Sequence, residues 1–198
     1  MIERLNTETR AYHAEADSDF DILFREDASA SLYLVYLMRV YGFEAPLEVA
    51  LSMTPNLELM IALRERQKSH HLANDLLALG LRPHEVAEVP RCLTIPQARG
   101  AAEALGWMYV IERSTLAHSV IRRHLLTKLP REMHRASEYF QCYAGVVGTR
   151  WRHFGSVLDD VASSPAIANR IIASAGEAFR AQRRWIQHEH QGTHARAV

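Results

Sequence analysis

Residues 5–17 read LNTETRAYHAEAD, and Leu5, Thr9, Tyr12 and Ala16, continued by Phe20, fall three and four apart on one helical stripe. His13 adjoins that stripe, with Thr9 one turn before it and Asp17 one turn after. A carboxylate at i+4 is placed to accept one ring N–H, which fixes the tautomer and makes the other nitrogen a better metal ligand. The same spacing suits a partly buried histidine paired with Asp17 for structural reasons alone, and spacing does not separate the two.

Outward from this helix the period of three and four persists, and strict alternation between turn residues is absent. The pattern gives an all-α, multi-helical bundle with one domain over 1–190 and a tail over 191–198. The first helix is expected to run to Phe20 and to end at the acidic stretch before Tyr33. A second helix, capped by Ser29 or Ser31, is expected to bend at Gly42 and Pro46. A third spans Arg66 to Leu79, closed by Gly80 with Pro83 beyond it, and a loop then leads to Pro96. One long helix follows to Leu129, two shorter ones lie around Gly145 and Gly148, and Ser164-Pro165 opens the last. Ile167, Ile171, Ala175, Phe179 and Ile186 form its buried stripe.

Composition narrows the function classes. The 198 residues balance 23 Lys and Arg against 23 Asp and Glu, without a run of like charge, which argues against a nucleic-acid partner. Two distant cysteines, Cys92 and Cys142, fit neither a disulfide framework nor a close metal pair and suggest a reducing, cytoplasmic setting. No apolar run reaches membrane-spanning length, so no membrane association is expected. Among the eleven histidines, His188, His190 and His194 sit near a polar terminus, and His71 with Asp75 reads as a surface ion pair.

LNTETRAYHAEAD resembles the opening helix of the heme oxygenase family, with Thr9, His13 and Asp17 on the family's threonine, proximal histidine and acid. YLVYLMRVYGFEAPLE, DLLALG and GWMYVIERSTL are similar to segments of bacterial heme oxygenases, above all those encoded beside bacteriophytochromes, and SSPAIANRIIASAGEAF to the closing helix. The resemblance implies heme as both substrate and cofactor, held between the helix of His13, the iron ligand, and a distal helix around Ser114, the catalytic position. It also implies O2 and electrons from a reductase or ferredoxin, biliverdin, carbon monoxide and ferrous iron as products, and a bacteriophytochrome as an acceptor of biliverdin. Arg152 matches a basic position at the heme edge, with Arg150 the competing choice, and both equally suit surface charges on a short amphipathic helix; Tyr109 and Tyr143 offer hydroxyls there or serve as core aromatics with their OH at the rim.

Where relatives read Glu-Gly-Ser-Thr-Leu-Gly-Gly, this chain reads Glu112-Arg113-Ser114-Thr115-Leu116-Ala117-His118. Arg113 is expected to occupy heme volume unless it reaches solvent or a propionate, Ala117 adds one methyl on the distal side, and His118 is expected to be structural. Two readings follow: a heme oxygenase, favoured by His13 and Asp17, and a degenerate homologue without catalysis that binds or senses heme or serves as an interaction protein, favoured by Arg113, Ala117 and His118. A nonheme member of the broader helical superfamily would need a catalytic cysteine setting or a carboxylate-rich diiron set, and neither is present.

Overall fold

The computed structural model describes the backbone of residues 1–193 and the side chains of 1–187, and no strand occurs among the described residues. The expected tail beyond Thr193, and the side chains of His188, His190 and His194, lie outside them. No described helix is long and apolar enough to cross a membrane.

The first stripe is divided into three helices, α1 (Ile2–Glu8), α2 (Arg10–Ser18) and α3 (Asp21–Phe24), instead of one. The break falls at Thr9, whose φ of −103° and ψ of 9° leave the helical region while its hydroxyl donates back to the Leu5 carbonyl at 2.7 Å. Next comes α4 (Ala30–Ser52), capped by Ser29, whose hydroxyl accepts from the Leu32 N–H at 3.3 Å. Pro46 lies inside it and cannot donate to the carbonyl four residues back, that of Gly42; the Cys92 N–H donates there instead, at 2.8 Å. Gly42 is needed for this approach, because a Cβ there would stand 2.5 Å from the Pro90 carbonyl oxygen and 2.6 Å from the Trp185 ring.

After α5 (Leu57–Met60) and a 3₁₀ turn at Arg64–Arg66 comes α6 (Ser69–Ala78), shorter at its start than expected. Gly80 ends it at φ +111°, with the Leu81 N–H donating to the Leu76 carbonyl at 3.2 Å. The expected loop to Pro96 contains α7 (Pro83–Glu88), which has proline in its first turn and a Glu85 carboxylate accepting from the Arg82 N–H at 2.7 Å.

The long helix expected to Leu129 is likewise divided, into α8 (Ala101–Ser114), a 3₁₀ turn at Thr115–Ala117 and α9 (His118–Lys128). At that junction the Ser114 and Thr115 hydroxyls donate to the carbonyls of Ile111 and Glu112, at 2.9 and 2.7 Å, and so compete with the helical ladder. Short α10 (Pro130–Arg135) and α11 (Glu138–Gln141) lead to α12 (Val147–Val161). The last helix, α13 (Pro165–Thr193), has Ser164 as its cap.

Two buried apolar clusters result. One joins α8, α12, α13 and the end of α4 through Phe43, Met108, Phe154, Ile171 and Phe179. The other joins the start of α4 to α6, α9 and α11 through Tyr33, Leu37, Leu72, Leu125 and Phe140. Asp75 links two of these elements: its carboxylate accepts from the Glu138 and Tyr139 N–H groups at 2.8 and 2.9 Å, so it is a buried cap for α11. His71 pairs with Glu138 at 3.2 Å, not with Asp75 as its spacing suggested.

Candidate functional site

Helix α2 is held against α13 by Tyr12, which stacks on Phe179 with ring centres 5.9 Å apart and accepts from Arg180 at 2.7 Å. This docking places half-buried His13 between Phe179, 5.5 Å away between ring centres, and Tyr109 on α8, at 6.2 Å. Its Nε2 lies 2.9 Å from the Thr9 hydroxyl oxygen and 3.3 Å from that of Tyr109. Both hydroxyl protons are already committed, Thr9's to the Leu5 carbonyl and Tyr109's to Asn6 Oδ1 at 2.7 Å. Both oxygens therefore accept, Nε2 carries the ring proton, and the lone pair belongs to Nδ1. Burial, helped by the charge of Arg113 and opposed by Asp17, lowers the imidazole pKa, so the ring is neutral at neutral pH and competent to bind a metal.

Asp17 does not partner the His13 ring. It takes both guanidinium nitrogens of Arg113 at 2.8 and 3.1 Å, a fork-on-carboxylate pair tying α2 to the end of α8. Arg113 is 19% exposed and Asp17 56% exposed, so the pair lies at the rim between protein and solvent. Arg113 was expected to occupy heme volume unless it reached solvent or a propionate; its partner here is a carboxylate of the protein itself, Asp17.

The pair stands where two cavities meet, and Phe20, Arg113 and Ser114 belong to both. The outer cavity has about 360 Å³ of free space and is lined by Phe24, Ala117, Val120 and Ile121 among others, a size within the range of small-molecule pockets. The inner one, about 30 Å³, reaches back to Asp19, Glu44 and Tyr139. Ala16 lines the inner cavity and Asp17 the outer one, three and four residues after His13 on the same face of α2, so His13 stands one turn behind the cleft and lines neither cavity itself. Among the described residues that line the two cavities, Arg113 is the only arginine or lysine.

The structure thus brings together Thr9, His13 and Tyr109 in one group, and Asp17, Arg113, Ser114 and Ala117 in another along the cleft. It does not bring Arg150 and Arg152 to either cavity wall. Arg150 pairs with Glu65 at 3.2 Å and lies over the Tyr143 ring, and Arg152 donates to the Thr149 hydroxyl at 3.2 Å. Tyr143 donates to Glu112 at 2.9 Å inside a buried charge cluster. His118 is buried against Tyr139 and Phe140, with ring centres at 4.6 and 5.2 Å, and burial pushes its pKa down to about 3. It is a neutral core side chain, as expected.

Sequence reasoning missed Glu44, Glu48, Arg66, Lys68 and Glu112, which are buried together, Glu44 on the wall of the inner cavity. The signal was present in the otherwise apolar run 33–51, where Arg39, Glu44 and Glu48 are the charged residues.

The residues fit a heme ligand in part: a neutral histidine beside an apolar cleft, with a cation at its rim suited to a carboxylate. The Asp17–Arg113 pair is the feature that a bound porphyrin would have to displace or adjoin.

The sequence model of the family described as heme oxygenase matches residues 1–188. No curated protein matches the chain. Among solved structures, the fold is similar to the NO- and CO-bound heme oxygenase from Neisseria meningitidis, with a TM-score of 0.74 and 21% identity over 94% of this chain and 89% of that one.

Proposed function

Because the chain belongs to the heme oxygenase family, we propose that it binds heme in the cleft between α2 and the α8–α9 junction, with His13 on the iron, and cleaves it to biliverdin, carbon monoxide and ferrous iron. O2 and electrons from a reductase or ferredoxin complete the reaction. The observation that carries this reading is the state of His13, a neutral imidazole one turn from cavity-lining Ala16 and Asp17 on α2, whose partners leave one ring nitrogen with a free lone pair.

When bound, heme supplies the iron and the oxygen-activating chemistry, so few protein side chains have to react. His13 would hold the iron without the strong electron release of a thiolate. Thr9 and Tyr109 fix its ring, and Phe179 packs beside it. Ser114 and Ala117, at either end of the 3₁₀ turn and on the wall of the outer cavity, would face the bound ligand. Arg113, now paired with Asp17, would exchange that carboxylate for a heme propionate and so conserve a forked ion pair at the rim. Apolar Phe20, Phe24, Val120 and Ile121 exclude water from the porphyrin face.

A second reading, heme binding without cleavage, is favoured by one feature: the Asp17–Arg113 pair lies on the wall of the outer cavity and occupies the rim of the cleft. Aerobic reduction of the heme complex with ascorbate separates the two. Replacement of the heme spectrum by that of biliverdin, with release of carbon monoxide, supports the enzyme; a heme that is reduced but stays intact refutes cleavage.

A further inference from the structure

Two cations and three carboxylates are buried together around α4, α8 and the turn before α6: Arg66 and Lys68 against Glu44, Glu48 and Glu112. With every group charged, one carboxylate has no counter-ion, a costly arrangement in a buried site. Glu48 is satisfied by the Lys68 and Ser69 N–H groups, at 2.6 and 3.1 Å, and by the Ser69 hydroxyl. Glu112 receives Arg66, Lys68 at 3.4 Å and the Tyr143 hydroxyl.

Glu44 is left with least. The Tyr139 hydroxyl donates to its Oε1 at 2.6 Å. Its Oε2 has no hydrogen-bond partner among the described residues, and Lys68 Nζ stands 3.9 Å away. Glu44 is 1% exposed, yet it lines the inner cavity together with Ser114 and Asp19. That cavity, about 30 Å³, has room for a water or two.

We infer that Glu44 is the proton-carrying group of the Ser114 side of the cleft, releasing the proton on Oε2 through water in the inner cavity to a ligand seated opposite His13. This rests on the heme oxygenase reading, which requires protons on that side. When the proton leaves, the carboxylate stays beside Lys68 and keeps the Tyr139 hydrogen bond. A proton from solvent, arriving by way of Asp19 on the cavity wall, restores the neutral acid. Burial pushes the Glu44 pKa up to about 7, against the pull of Lys68 and Tyr139 and with the push of Glu48 and Glu112. Tyr36 on α4 and Cys142 after α11 are the other titratable groups coupled to it. Asp19, half-buried near Arg183, Glu15 and Asp21, is raised by burial to about 6.

The test begins with the ligand-free protein. Its infrared spectrum below neutral pH should show the carbonyl stretch of a buried protonated carboxyl that fades as pH rises through about 7 and is missing from Glu44→Gln. A band that survives in Glu44→Gln, or a wild-type protein without it, overturns the inference. With heme added, Glu44→Gln should bind as wild type does but turn over about a hundredfold more slowly, the usual scale of a lost general acid. The wild-type rate should fall as pH passes above Glu44's titration, and Glu44→Gln should lack that limb. An unchanged rate and pH profile would refute the role. Tyr139→Phe is the second variant: losing the hydroxyl that favours the carboxylate should move both the infrared midpoint and the rate profile to higher pH, and an unmoved midpoint overturns the assignment. Intact heme in the wild-type assay would refute the cleavage reading, and the proton-delivery role with it, while the infrared band still decides whether Glu44 is the protonated acid.

Discussion

Replacing Gly106 by alanine should push α8 and α13 apart. A Cβ at Gly106 would lie 2.7 Å from the Ser174 Cβ and 2.9 Å from the Ala175 nitrogen, and closer still to the Ile171 carbonyl oxygen. These are backbone or near-backbone atoms, so none can rotate away, and ordinary contact begins at about 3.4 Å. The helices must separate by close to an ångström, and overpacking of this kind costs roughly 1–3 kcal/mol. Alanine gains about 1 kcal/mol over glycine in a helix interior, which offsets part of that. Gly176 on α13 is the control: its added Cβ would meet Arg180 at 3.4 Å and Tyr12 at 3.5 Å, which is ordinary contact. Gly176→Ala should therefore stabilise by up to about 1 kcal/mol, while Gly106→Ala should lose up to about 2 kcal/mol net. The propensity gain is common to both, so at roughly 2–4 °C per kcal/mol for a chain of this size the two Tm values should separate by about 2–12 °C. Urea and thermal unfolding followed by circular dichroism measure the difference. A Gly106→Ala protein as stable as Gly176→Ala would show that the helices do not approach this closely, and the placement of Tyr109 and Arg113 against α2 would lose its support.

Two further perturbations address the site and its pH response. Arg113→Ala frees Asp17 and should cost no more than about 1 kcal/mol of stability, because the pair is partly exposed. If Arg113 pairs a propionate, the same change weakens heme affinity about tenfold; tighter binding in a heme titration would show instead that the side chain excludes the porphyrin. His118, held at about 3 by burial and the charge of Lys68 against 6.5 in the unfolded chain, contributes stability that is complete above about 6.5 and lost as pH falls toward 3. At pH ~4.5 that loss is about 2.5 kcal/mol. Urea unfolding at neutral and acid pH should show His118→Gln losing correspondingly less than wild type on acidification, and equal losses would refute the buried neutral state.

The helices were legible in the sequence because burial of one face imposes a period, and Ile171, Ala175 and Phe179 recur at that period against a polar face. Their interruptions were not. Thr9, Ser114 and Thr115 break helices by donating back to their own backbone, which changes no hydrophobic pattern. Pro46 gave a bend signal, but its real consequence, a carbonyl satisfied by Cys92 across the fold, is a tertiary fact. In the same way, spacing put Asp17 within reach of His13, and only the approach of α8 showed that Arg113 takes it. Charges in an apolar run marked Glu44 and Glu48 as unusual, while the count of cations around them needed the segment at Arg66 and Lys68 folded in place.

The most direct test of the central claim is a heme titration of wild type and His13→Ala, followed by visible absorption. Saturable binding of one heme per chain, with a Soret spectrum typical of histidine ligation that His13→Ala loses and added imidazole restores, is the result expected from a neutral His13 one turn from the cleft-lining residues of α2. The same spectrum and affinity in His13→Ala, or no saturable binding in wild type, would contradict it.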